Sequence, residues 1–175
     1  GFFATWWRSA LMMVGGVLFS ADLTELVCYP AARYAADYSL PEETLVIGSH
    51  AFENALRLRS IGFNDGLTEI GKSAFAGCTG FTRIDLPDSV EYIGRAAFYN
   101  STYTTAFRLP ANLKVIGDYA FYNYSAMLSV TIPANIESIG KNAFYGCEGI
   151  SKVEITDIAA RCAIEFATAE SNPLS

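Results

Sequence analysis

The chain has 175 residues, 51% of them apolar, and 12 Lys and Arg stand against 18 Asp and Glu for a formal charge of −6. This is globular composition with enough apolar material for a sizeable core. The acidic balance argues against a nucleic-acid partner, because no basic stripe exists to neutralise phosphates and the longest basic cluster is Arg57-Leu58-Arg59. One histidine, His50, and four cysteines at 28, 78, 147 and 162 with no C-x-x-C spacing leave no metal or redox motif.

Residues 1–22 are read as an irregular N-terminal segment, in which Arg8 precedes the apolar run Leu11 to Phe19. Three readings fit it, the first preferred. It is a truncated preceding module; or a signal-like h-region, for which Phe19-Ser20-Ala21 is a poor cleavage site; or a membrane span, for which the run is short of the ~20 residues a helix needs and is broken by Gly15-Gly16.

From residue 23 to 160 a unit recurs with a period of 23 residues. Ile47-Gly48, Ile70-Gly71, Ile93-Gly94, Ile116-Gly117 and Ile139-Gly140 are each followed by Ala-Phe, at Phe52, Phe75, Phe98, Phe121 and Phe144. Seven residues before each isoleucine stand Leu40, Phe63, Leu86, Leu109 and Ile132, and in four units a proline follows: Pro41, Pro87, Pro110 and Pro133. The alternating I-x-I segment before the proline predicts short parallel strands at 60–63, 83–86, 106–109, 129–132 and 152–155, ended by a residue with no N–H to give. Val90, Leu113 and Ile136 restart the apolar face. The glycine serves either a backbone shape closed to other residues or a close approach between coils. The Ala-Phe pair is predicted in a short helical turn, with Phe filling the coil interior.

One such unit cannot bury its own apolar face, so the units are predicted to stack into a curved, right-handed repeat solenoid with a continuous core. Each buried Phe then stabilises by roughly 1.5–3 kcal/mol. Cys78 and Cys147 share a slot three coils apart, so at ~4.8 Å per coil their Cα atoms stand about 14 Å from each other, beyond disulfide reach. They are read as buried thiols.

The stretches "LPDSVEYIGRAAFYN" and "IPANIESIGKNAFYGCEGISKVEI" resemble the BspA-type (Treponema pallidum-type) leucine-rich repeats, a likeness that covers about residues 16–163. Residues 16–31 resemble the irregular module that precedes such a run, and 161–175 the start of an incomplete following module, with Cys162 in the isoleucine slot. The departures are local: Phe63-Asn64 replaces the I-P pair, and Thr44 and Thr104 occupy apolar slots. The resemblance implies a microbial protein that is extracellular or at the cell surface, with adhesion and host-protein binding in some members. The chain's ends read as those of a fragment of a longer protein.

No nucleophile–base pair, H-E-x-x-H, G-x-S-x-G, phosphate-cradling loop or EF-hand pattern is present. The reading is therefore of a non-catalytic module with no cofactor and no metal, which takes a protein or glycan ligand on a broad surface. A passive spacer, or a targeting segment of a larger surface protein or enzyme, is the alternative. The candidate contact residues are aromatic. Tyr99, Tyr122 and Tyr145 follow the buried Phe in consecutive coils, with Tyr103 and Tyr124 nearby. Stacking sets the three in a ladder that is expected to be partly exposed, where tyrosine gives large contact area at low entropic cost. The same ladder equally serves to seal an edge by packing. Asn100-Ser101-Thr102 and Asn123-Tyr124-Ser125 are glycosylation sequons one period apart.

Overall fold

A computed structural model describes residues 10–81, 83–101 and 107–156, together with the backbone of 165–166. The chain is a solenoid of short strands and turns. A hairpin opens it: β1 (Leu11–Val14) runs antiparallel to β2 (Val17–Ser20). Gly15 and Gly16, at φ +55° and +82°, form the two-residue turn between them, a conformation in which glycine is at ease. From residue 10 onward, then, the segment expected to be irregular is regular. β2 places Val17 and Phe19 in the core and pairs with β3 (Glu25–Cys28), whereas all four side chains of the edge strand β1 are exposed.

The main ladder lies on the anchor isoleucines. β5 (Val46–Ile47), β7 (Glu69–Ile70), β8 (Tyr92–Ile93), β9 (Val115–Ile116) and β11 (Ser138–Ile139) pair in parallel, Ile on Ile. The hairpin and β3 extend this sheet at one end, and β13 (Glu165–Phe166) extends it at the other. The rung after Ile139 is Phe166; Cys162, expected in the isoleucine slot, lies outside the described residues.

The glycine after each isoleucine is there for close approach. Gly71 N–H donates to the Ile47 carbonyl and Gly94 N–H to that of Ile70, at 2.8 and 2.7 Å. A Cβ on Gly71 would stand 2.8 Å from both the Ile47 oxygen and the Gly48 carbonyl carbon. The first of the two readings of this residue, a special backbone shape, does not hold: neither Gly71 nor Gly94 has a positive φ.

The strands expected at the I-x-I segments are only partly present. β4 (Asp37–Ser39) pairs with β6 (Ser60–Gly62), and β10 (Ser129–Ile132) with β12 (Lys152–Ile155). No strand forms at 83–86 or 107–109, although Ile84, Leu86 and Leu109 remain buried; residue 106 lies outside the described residues. Proline accounts for the pattern. In both pairs the later coil lacks it, Asn64 following Pro41 by one period and Thr156 following Pro133, and the Thr156 N–H donates to the Ile132 carbonyl at 3.3 Å; the coil after Asn64 carries Pro87 and forms no strand. Units carrying Pro87, Pro110 and Pro133 have no such donor to offer one another.

The Ala-Phe segments are stacked β-turns, and no helix occurs among the described residues. Three residues after each anchor isoleucine the chain enters the left-handed region, at His50, Ser73, Ala96, Tyr119 and Asn142 (φ +52° to +60°). That costs an L-residue roughly 1–2 kcal/mol and prevents a right-handed helix. The N–H groups then alternate. Those of Ala96, Phe98 and Asn100 donate to Asp118, Ala120 and Tyr122 of the next coil, while those of Ala97, Tyr99 and Ser101 close turns within their own coil. A second left-handed position recurs at Asn54, Gly77, Asn100, Asn123 and Gly146, filled throughout by the residue types that tolerate it.

An aromatic spine fills the interior. Phe52, Phe75, Phe98, Phe121 and Phe144 stack with centroids 5.1, 5.3, 5.4 and 5.3 Å apart and ring planes within 11° of parallel. Tyr29 continues the stack 5.0 Å beyond Phe52. Carbon atoms in contact stand about 3.5–4.0 Å apart, so rings at these spacings are slipped sideways, the offset geometry their quadrupoles favour.

Cys78 and Cys147 are buried beside this spine, and their thiols donate to the carbonyls of Phe52 and Phe121, one coil back, at 2.8 and 3.0 Å. Ser101 holds the same slot and donates to the Phe75 carbonyl at 2.8 Å. Burial pushes both thiols up to about 12, whereas Cys28 is exposed.

Two outcomes are expected. Phe98→Ala or Phe121→Ala lowers stability by about 3–5 kcal/mol in chemical denaturation, and an unchanged midpoint would contradict the spine. In the native protein a thiol reagent at mildly alkaline pH modifies Cys28 but reaches Cys78 and Cys147 only in denaturant, because the protonated, buried thiol is unreactive; peptide mapping reads the difference.

Candidate partner-binding surface

The turn side of the solenoid carries the residues expected to meet a partner. Tyr99, Tyr122 and Tyr145 each follow the spine phenylalanine, so their side chains leave the turn opposite to the core. Their rings stack at 5.0 and 5.2 Å, within 10° and 17° of parallel. Tyr99 and Tyr122 are half-buried and Tyr145 is 49% exposed. Two residues that sequence reasoning missed belong beside them. Tyr119, from the left-handed slot of its turn, tilts against Tyr122 at 5.8 Å, and the Arg95 guanidinium lies 5.8 Å from the Tyr119 ring, within cation–π reach. The signal for Tyr119 was its place in the same turn, three residues before Tyr122.

Beside the tyrosines runs a short amide ladder in which Asn123 Nδ2 donates to Asn100 Oδ1 at 3.1 Å. Both asparagines are exposed, which puts the acceptor side chains of the two sequons at the surface.

Tyr124 does not belong to this surface. It is fully buried and packs on Phe107 and Phe121, because it occupies the inward slot held by Cys78, Ser101 and Cys147 in other coils. Tyr103 lies outside the described residues.

The faces around the I-x-I segments offer no comparable feature. Their charged side chains pair among themselves: Arg83 with Asp85, Arg108 with Asp88 at 2.7 Å, and Lys152 with Glu154 at 2.6 Å. Thr131 donates to Glu154 at 3.1 Å. The hydrogen bonds from Arg108 and from the Ala111 N–H hold the Asp88 carboxyl below its ordinary range. These are exposed pairs and contribute little to stability. His50 pairs with Glu53 at 2.9 Å on the surface. Among the described residues, no group of three or more His, Cys, Asp or Glu side chains is placed to hold a metal.

The architecture recurs in solved structures. The pneumococcal vaccine antigen PcpA is 30% identical, with a TM-score of 0.74 over 93% of this chain and 38% of its own. A leucine-rich cell surface protein of Faecalibacterium prausnitzii is 21% identical, with a TM-score of 0.82 over 92% of this chain and 43% of its own. The T. pallidum leucine-rich repeat protein is 25% identical, with a TM-score of 0.70 over 86% of this chain and 72% of its own. The chain thus spans about two fifths of the length of the first two. No curated protein sequence matches it. The BspA type leucine-rich repeat region matches residues 37–162 in six copies, so the repeat, the stacked coils and the match together place this chain in the BspA-type leucine-rich repeat family.

Proposed function

We propose that this chain is a non-catalytic binding module of a microbial protein, secreted or displayed at the cell surface, and that it engages a protein or glycan partner through the turn-side tyrosine ladder. The observation that carries the reading is the stacking of Tyr99, Tyr122 and Tyr145 at a rise near 5 Å, with Tyr99 and Tyr122 only half-buried and Tyr145 exposed. Aromatic anchors contribute a disproportionate share of interface energy, and rings already held by stacking lose little further freedom on contact. The likeness to a vaccine antigen at 30% identity supports a location that antibodies reach. The turns also suit the role. Their backbone groups bond to neighbouring coils or close turns within their own, so most side chains at the outward slots carry no backbone hydrogen bond and are left for contact.

The test is the triple variant Tyr99→Ala/Tyr122→Ala/Tyr145→Ala on an array of extracellular-matrix proteins and glycans. The expected outcome is a folded protein, by circular dichroism, with binding reduced at least about tenfold relative to the parent. Binding that survives the triple substitution would show that the ladder only seals the edge.

A further inference from the structure

The charges around the ladder point to the chemistry of its partner. Arg83, Arg108, Lys114 and Lys152 of this acidic chain pair with carboxylates, while Arg33, Arg57 and Arg95 lie against tyrosine rings. Lys72, Arg95 and Lys141 are exposed and form no ion pair among the described residues. All three occupy one slot, two residues after the anchor isoleucine, so stacking sets them in one column along the turn side. The intervening coil puts Asp118 there, and its Oδ1 accepts the Lys141 backbone N–H at 2.7 Å. Three cations thus stand against one carboxylate on a chain whose formal charge is −6.

This column is continuous with the tyrosines. Arg95 contacts the Tyr119 ring, that ring contacts Tyr122, and the Tyr119 N–H donates to the Lys141 carbonyl at 2.8 Å. Stacking within the ladder also decides what it can present. The ring faces of Tyr99, Tyr122 and Tyr145 are taken up by one another, apart from the outermost, so the CH groups of a sugar find little ring face to stack on. What remains are ring edges, the positive part of the aromatic quadrupole, and hydroxyl groups that donate hydrogen bonds. Edges, hydroxyls and unpaired cations all favour carboxylates.

We infer that the column of Lys72, Arg95 and Lys141, together with the tyrosine ladder, binds an extended, carboxylate-rich peptide segment of a partner protein. The inference rests on the reading of the ladder as a contact surface and adds the partner's charge and polymer class. The rest of this acidic chain repels such a segment, so electrostatics steers it to this corner.

Poly-L-glutamate and hyaluronate, a carboxylated polysaccharide, are the probes, each titrated against the full chain by surface plasmon resonance. Poly-L-glutamate is expected to bind and hyaluronate to bind much more weakly. Raising salt from about 0.05 to 0.5 M should weaken the complex roughly tenfold or more, since exposed charges are screened. The variant Lys72→Glu/Arg95→Glu/Lys141→Glu should lose the interaction while keeping its circular dichroism spectrum, and Lys72→Gln/Arg95→Gln/Lys141→Gln should lose part of it. Hyaluronate binding in preference to poly-L-glutamate would overturn the inference in favour of an acidic glycan, and so would poly-L-glutamate binding that ignores salt and charge reversal. The array separates the two levels. If the tyrosine-to-alanine variant loses its array partner and the charge-reversal variant keeps it, the ladder reading stands and the acidic-peptide inference falls. If both variants bind as the parent does, both fall.

Discussion

A 23-residue coil that returns to within one inter-strand spacing of its predecessor sets each residue on its own equivalent, about 4.8 Å away. Everything else in this protein answers to that rise. It is too small for a side chain between the anchor segments, so Gly71 and Gly94 stand where a Cβ would meet the backbone of the coil before. It is larger than the thickness of an aromatic ring, so the five phenylalanines of the spine slip sideways into offset stacks. Each coil covers one face of the next ring, and no coil completes its core alone.

The same rise organises the surface. On the turn side, alternate N–H groups leave the coil for the next one and the others close turns, so the backbone is satisfied almost entirely by backbone, with Asp118 accepting the Lys141 N–H as an exception. A residue placed at an outward slot in consecutive coils then becomes a ladder whatever its chemistry: tyrosines at 99, 122 and 145, amides at 100 and 123, cations at 72, 95 and 141. Order that the core requires is thus imposed on the surface, and a binding edge is pre-organised by the forces that hold the fold.

The sequence disclosed which residues stack on which, because a fixed period does so directly. The buried spine, the buried cysteines and the half-exposed tyrosines were legible in this way. Where the chain forms strands was less so. The ladder at Ile47, Ile70, Ile93, Ile116 and Ile139 runs through strands of two residues, too short to show a period of two, while the longer I-x-I alternation drew attention to segments that proline prevents from pairing. The turns were misread as helical because nothing in Ser73, Ala96 or Tyr119 announces a left-handed residue, and tertiary hydrogen bonds impose it. Tyr124 was placed on the surface although its slot neighbours, Cys78, Ser101 and Cys147, already marked the position as inward. Its residue type had outweighed its register. Arg95 was missed because its contact with Tyr119 crosses from one coil to the next, which spacing alone does not reveal, whereas Tyr119 was legible three residues before Tyr122 in the same turn.

If the rise and the stack it imposes govern the fold, neighbouring spine residues must be energetically coupled and distant ones independent. A double-mutant cycle on Phe98→Ala and Phe121→Ala, compared with one on Phe52→Ala and Phe144→Ala, measures this by chemical denaturation. Rings in contact at 5.4 Å should show a coupling of about 0.5–1.5 kcal/mol, and the separated pair should be additive within about 0.5 kcal/mol. Additivity at Phe98 and Phe121, or equal coupling in both cycles, would contradict the account.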